Sequence, residues 1–121
     1  MTQDQRIAAI GLRVMSGDTA PPGAHENLRR NLADVPADLL QQVGATIAAV
    51  SEDEGLALIA AHDDAAEAGG QLLLRPDVQA LLLPSAQQPR DSDARAALLV
   101  YAIGFAFLRL ETIRDARKVD A

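Results

Sequence analysis

The chain has 121 residues, a length typical of one domain with a single hydrophobic core, and we expect residues 1–121 to form one such domain. It contains no cysteine, 2% aromatic residues and a net charge of −6. This composition excludes disulfides and thiolate metal sites, and it opposes nucleic-acid binding, which needs basic groups for phosphates and aromatic rings for bases.

The N-terminal stretch MTQDQRIAAIGLRVM begins with polar residues and lacks the continuous apolar segment of a secretory signal. We therefore expect a cytoplasmic protein. The first helix should begin at Gln3, because Thr2 and Gln5 form a capping-box pair. It should end at Gly17, since glycine most easily takes the left-handed conformation that terminates a helix.

Apolar residues at intervals of three and four predict two further helices, the second of which starts near Pro36. The first stripe consists of Leu28, Leu32 and Val35, and the second of Leu40, Val43, Ile47 and Val50. A fourth helix should follow Ser51, which forms another capping-box pair with Glu54, and should end at the glycines 69–70. A short helix is expected over residues 76–83, because leucine favours helix and β-branched residues are scarce there.

The final helix should begin at about Ser92 and run to about Arg117. Its residues 96–108 carry no charge, but they would cover only roughly 20 Å, less than the ~30 Å of a bilayer core. We therefore interpret this stretch as a buried hub and expect no membrane contact. The sequence predicts an all-α fold, at least 60% helical, in which five to six short helices form a compact single-domain bundle around a central hydrophobic C-terminal helix.

The distribution of charge is the feature that most suggests a function. Residues 31–74 contain eight acidic residues and no Lys or Arg, so a basic surface of another protein would be steered towards them. We expect a non-catalytic interaction module of the inhibitor, immunity or adaptor kind, with Leu56 as an apolar anchor. The alternative is a solvated face on which a neighbouring helix covers Leu56. The predicted docking residues are Glu52, Asp53, Glu54, Leu56, Asp63, Asp64 and Glu67.

Two histidines and one tyrosine are further candidates for a site. His62 falls among the apolar positions of the fourth helix, so we interpret it as a hydrogen-bonded core histidine. A metal site between His62 and the carboxylates that follow it is disfavoured, because these side chains leave the helix in different directions. A small-ligand-binding or enzymatic domain with a pocket near His62, His25 or Tyr101 remains an alternative function, which a cavity reaching one of them would favour.

The apolar stripe of the C-terminal helix narrows beyond residue 108 to Leu110 and Ile113, among charged neighbours. On a helix that extends past its own core this stripe would be exposed, and two copies could cover it by pairing about a two-fold axis. We therefore predict a homodimer through Leu110 and Ile113. A self-associating subunit of a larger phage or bacterial assembly is the corresponding alternative function.

Catalytic signatures are not found in the sequence. The chain contains no G-x-S-x-G nucleophile motif, no phosphate-binding G-x-x-x-x-G-K-[ST] loop and no G-x-G-x-x-G dinucleotide motif. No family is identified from these residues, so no functional residue is transferred from one. We accordingly predict no catalytic residues, no metal and no cofactor.

Overall fold

Seven α-helices make up the described part of the chain, which in this computed structural model covers residues 2–17, 19–62, 64–83 and 92–120. They are α1 (Gln3–Ser16), α2 (Ala24–Leu32), α3 (Ala37–Ala48), α4 (Glu52–Ala61), α5 (Ala65–Leu72), α6 (Pro76–Leu82) and α7 (Ser92–Asp120). No strand occurs within these ranges, and the structure is 81% helical, so the predicted all-α fold is confirmed.

α1 has the ends that its sequence predicts. The Thr2 Oγ1 accepts a hydrogen bond from the Gln5 N–H at 3.1 Å, and the Gln5 Oε1 accepts one from the Thr2 N–H at the same distance. This reciprocal pair completes the capping box. Gly17 ends the helix with a φ of 59°, a conformation that favours glycine because a Cβ would be strained there.

α7 is the centre of the fold, and each of the other six described helices contacts it. Its buried residues recur mostly at intervals of three and four and so form one broad stripe along the helix. Those that are at most 3% exposed are Ala94, Ala97, Leu98, Tyr101, Ala102, Ala106, Leu110 and Ile113. The predicted stripe of α3 faces this core, with Val43 and Ile47 completely buried. The hydrophobic C-terminal helix is therefore the hub that the sequence predicted.

α1 and α7 cross so closely that their backbones are in contact. A methyl group added at Gly11 would overlap the carbonyl oxygen of Val100, and one added at Gly104 would overlap the carbonyl oxygen of Ile7. Because glycine has no Cβ, it is the residue that permits this approach from both sides. Gly104 lies in the uncharged stretch 96–108 of the C-terminal helix, and the structure places Gly11 of α1 opposite it.

One predicted helix is divided in two, so six short helices surround α7, within the expected five to six. The fourth helix was expected to continue to the glycines 69–70, but α4 ends before His62 and α5 begins after Asp64. His62 has an extended backbone, and the Asp64 Oδ1 accepts a hydrogen bond from the Ala66 N–H at 2.8 Å. Asp64 is therefore an N-cap that starts a new helix, and residues 69–70 lie inside α5.

The length and apolar composition of α7 raise the question of whether this helix could span a membrane. Among the described residues, Ser92–Ala116 is the one helical stretch long and apolar enough to span a bilayer by length and composition. Half of its most apolar window is buried inside the protein, and the core helices of soluble proteins have the same length and composition. These two properties alone do not assign the helix to a membrane.

Candidate functional site

α4 and α5 form a helical hairpin that carries the predicted docking residues. The two helices pack on each other and on α7. His62 and Asp64 lie between them, and the Arg75 guanidinium, just beyond α5, binds the Glu54 carboxylate in the first turn of α4. α5 therefore runs back along α4 and gives the hairpin two ends. The acidic end consists of Glu52, Asp53, Glu54, Leu74, Arg75 and Asp77, and the turn end of His62, Asp64 and Glu67.

Three carboxylates lie in the first turn of α4, at the acidic end, where the helix dipole favours negative charge. The Ser51 Oγ accepts a hydrogen bond from the Glu54 N–H at 3.1 Å, which is half of the predicted capping box. The other half is absent, because the Glu54 carboxylate binds Arg75 instead. Glu52 and Asp53 are exposed, and neither makes a hydrogen bond or ion pair with any residue in the described ranges.

Arg75 is the cation of the acidic end, and it binds two carboxylates at once. Its Nε and Nη2 donate to Oδ1 and Oδ2 of Asp77 at 3.1 and 3.2 Å, a bidentate arrangement, while Nη1 donates to Glu54. The hydrogen bonds from Arg75 lower the pKa of Asp77, and the Asp77 carboxylate in turn raises the pKa of Arg75. The acidic end thus contains one guanidinium and four carboxylates, and it keeps an excess of negative charge.

Leu74 is the exposed apolar residue at the acidic end, a role that the sequence gave to Leu56. Leu56 is half-buried and packs against the hydrophobic core, so it is not the exposed anchor that was predicted. Leu74 lies in the turn before α6, next to Arg75, and its side chain is 61% exposed. The acidic segment counted from the sequence ends at this leucine. The sequence prediction missed Arg75, which follows Leu74 directly and joins α4 to the start of α6 by binding Glu54 and Asp77.

The turn end places His62 differently from the prediction. His62 ends α4 in the structure and does not occupy the middle of an apolar helix face, so that expectation is wrong. Its side chain is 23% exposed, and its Nδ1 lies 3.6 Å from the Glu67 Oε1. The Asp64 carboxylate is occupied as the N-cap of α5. Asp63, the remaining predicted docking residue here, lies outside the described residues.

The two ends of the hairpin are separated by the length of α4. A helix of ten residues is about 15 Å long, which exceeds the Debye length of about 8 Å at physiological salt. The predicted docking residues therefore form two small clusters and not one continuous face. The turn end has local partners for its described acids, whereas the acidic end combines unpaired carboxylates with an exposed leucine.

The predicted homodimer stripe is buried in the single chain. The homodimer itself stays a prediction, but Leu110 is 0% exposed and Ile113 is 2% exposed, so the expectation that they project from the core is wrong. The reason is Gly55 in α4: a methyl group there would overlap the Ile113 Cδ1 and would also contact Leu110. The hairpin covers this part of α7, and the stripe belongs to the core.

Tyr101 and His25 occupy contrasting positions. Tyr101 is 3% exposed, and its hydroxyl donates a hydrogen bond to the Asp4 Oδ1 at 3.3 Å. Burial, together with the Asp4 carboxylate, raises the pKa of Tyr101 to about 12. His25 is exposed at the start of α2 and lines two adjoining concavities between α1 and α2. Of the three residues named for a ligand pocket, His25 is thus one that a cavity reaches.

No group of three or more His, Asp or Glu side chains able to hold a metal ion occurs within the described ranges. Comparison of the chain with protein-family models, with curated proteins and with solved structures gives no match. The arguments for function therefore rest on the chain's own surfaces.

Proposed function

We propose that this protein is a non-catalytic interaction module whose acidic end docks on a basic surface of another protein. The observation that carries the proposal is the combination of two exposed, unpaired carboxylates, Glu52 and Asp53, with a leucine that is 61% exposed. An apolar anchor beside groups of one charge is a common arrangement at protein interfaces. The excess of carboxylates over cations complements a basic partner and would speed its arrival.

The acids and the leucine have separable roles in this proposal. Long-range attraction depends on charge and is screened by salt, so Glu52 and Asp53 act mainly on the association rate. An apolar side chain that loses its contact with water on binding acts mainly on the dissociation rate, and this role belongs to Leu74.

The test begins with capture of the partner from the native host and continues with binding kinetics on the purified pair. Glu52→Gln with Asp53→Asn should slow association several-fold and reduce its salt dependence, because two unpaired charges are removed. Leu74→Ala should mainly speed dissociation, by about tenfold, as expected for an anchor worth more than 1 kcal/mol.

Asp34→Asn with Asp38→Asn is the matched control, since it changes the net charge equally but at exposed positions before α3 and in its first turn. These substitutions should leave the kinetics nearly unchanged. All variants should keep the circular dichroism spectrum of the parent, because exposed charges contribute little to stability. A partner that binds the double variant, the control and Leu74→Ala equally well would show that the acidic end is only a solvated surface.

A further inference from the structure

A groove lies between α1 and α2. It has a volume of about 440 Å³, within the range of roughly 300 to 1,000 Å³ that small-molecule sites occupy. A second concavity of about 130 Å³ continues along the same helices and shares Ala9 and His25 with the first. We call the two together the α1–α2 groove. It is lined by Gln5, Ala9, Ile10, Leu12, Arg13, Gly17, Ala20, Pro21, His25, Leu28 and Arg29.

The lining of the groove combines apolar side chains with cationic ones. Ile10, Leu12 and Leu28 provide apolar side chains, whereas Arg13, Arg29 and the imidazole of His25 are the only side chains of this set that can carry a charge. None of these three polar side chains makes a hydrogen bond or ion pair with another residue that the structure describes. Within the described part of the chain, no contact therefore occupies their donors.

The nearest described carboxylates do not neutralise this set. Asp4 does not line the groove but a neighbouring concavity that shares Gln5 and Arg29 with it, and its carboxylate accepts a hydrogen bond from Tyr101. Glu26 follows His25 on α2 but does not line the groove. A ligand in the groove would consequently meet positive charge and apolar surface, with no carboxylate among the described residues that line it.

We propose that the α1–α2 groove binds a small amphipathic carboxylate, with its apolar body on α1 and its carboxylate between Arg13 and His25. A guanidinium can bind a carboxylate through two parallel hydrogen bonds, and the adjacent imidazole supplies another donor. The volume suits an organic acid of modest size better than a helix of a partner protein, which needs a longer apolar groove. This site is independent of the acidic end, because it involves neither α4 nor α5.

Octanoate is a suitable probe, compared with octanol and acetate by amide chemical-shift titration of the full chain. Octanoate should shift the amides of α1 and of the first turn of α2 with a saturable curve. Octanol lacks the charge and acetate lacks the apolar body, so each should bind about tenfold more weakly or not at all. Arg13→Gln with His25→Gln should weaken octanoate binding by about tenfold or more, with no change in circular dichroism.

Arg30→Gln is the matched control, because Arg30 is an exposed cation on α2 that does not line the groove. It should leave octanoate binding unchanged. Octanol binding as tightly as octanoate would overturn the proposal, as would equal loss of affinity in Arg30→Gln. Absence of a saturable octanoate shift, with an acidic helical peptide shifting the same amides, would also overturn it and assign the groove to a protein partner.

Discussion

Tyr101 is the chain's single tyrosine, and the chain has no tryptophan, so its ionisation can be followed by ultraviolet absorbance without interference. Its pKa is raised to about 12 because burial disfavours the phenolate, and the Asp4 carboxylate repels that phenolate and accepts the hydroxyl hydrogen bond. At a pH between about 10 and 12 the folded chain should therefore keep the proton, whereas the chain unfolded in guanidinium should lose it.

This raised pKa also determines how stability depends on pH. The contribution of Tyr101 is fully present below the unfolded pKa of about 10 and is lost as the pH rises through the folded value of about 12. The free energy of unfolding should fall by about 2 to 3 kcal/mol across this window. Asp4→Asn should lower the absorbance midpoint but keep it above 10, since burial remains. Equal midpoints for the folded and unfolded parent chain would contradict the assignment.

At the candidate site, the sequence predicts the features of single residues that depend on their neighbours in the chain, but not the contacts between helices. The negative first turn of α4 and the hydrogen bond from the Glu54 N–H to Ser51 follow from local rules, and the sequence predicted both. The pairing of Glu54 with Arg75 does not, because it joins residues that meet only after α5 has folded back. The exposed leucine is Leu74 and not the predicted Leu56 for the same reason: their exposure depends on packing between helices and not on helix periodicity alone.

Among the helices, the crossing of α1 and α7 has the most demanding geometry. Gly104→Ala should destabilise the protein by about 1 to 3 kcal/mol or more, because the new methyl group overlaps the Ile7 carbonyl and forces the helices apart. Gly70→Ala is the matched control within α5, where nothing lies near the new methyl group. It should stabilise the protein by about 0.5 to 1 kcal/mol, the usual gain of alanine over glycine in a helix.

Urea denaturation of the two variants measures both effects on one scale. Equal stabilisation by Gly104→Ala and Gly70→Ala would mean that α1 and α7 do not make backbone contact in solution. Both glycines are in helices, so the intrinsic helix preference of alanine is common to the two substitutions. The difference between them isolates the cost of the close approach.

The helices themselves were largely predictable, and the break between α4 and α5 was not. Caps and apolar stripes act over three or four residues, so they can be recognised in the sequence of α1, α3 and α6. At residues 62–64 two local rules compete, since Asp64 can be either an exposed residue within a helix or the N-cap of a new one. The packing of the hairpin on α7 favours the cap, and that packing is not encoded within a few residues.

For the molecule as a whole, the burial of Leu110 and Ile113 makes the core independent of a second copy. Ile113→Ala should lower the free energy of unfolding by about 2 to 5 kcal/mol, because it removes buried methyl groups and leaves a cavity beside Gly55. Leu99→Ala, at a position 42% exposed on the same helix, should cost less than about 1 kcal/mol.

Protein concentration provides the decisive control for this substitution. If Ile113 packs within its own chain, the urea midpoints of the parent and of Ile113→Ala should not change with concentration. A parent midpoint that rises with concentration, and an Ile113→Ala midpoint that does not, would place the residue in a dimer interface after all.

The contact between α1 and α7 also has a consequence for synthesis of the chain. Gly11 and Gly104 are more than ninety positions apart, so at about 5 to 20 residues per second the ribosome needs roughly 5 to 20 seconds to add the second after the first. During that interval the apolar stripes of the earlier helices lack the helix on which they pack. Nascent chains should therefore need chaperone protection until α7 emerges, and chains arrested before it should be substrates for proteolysis.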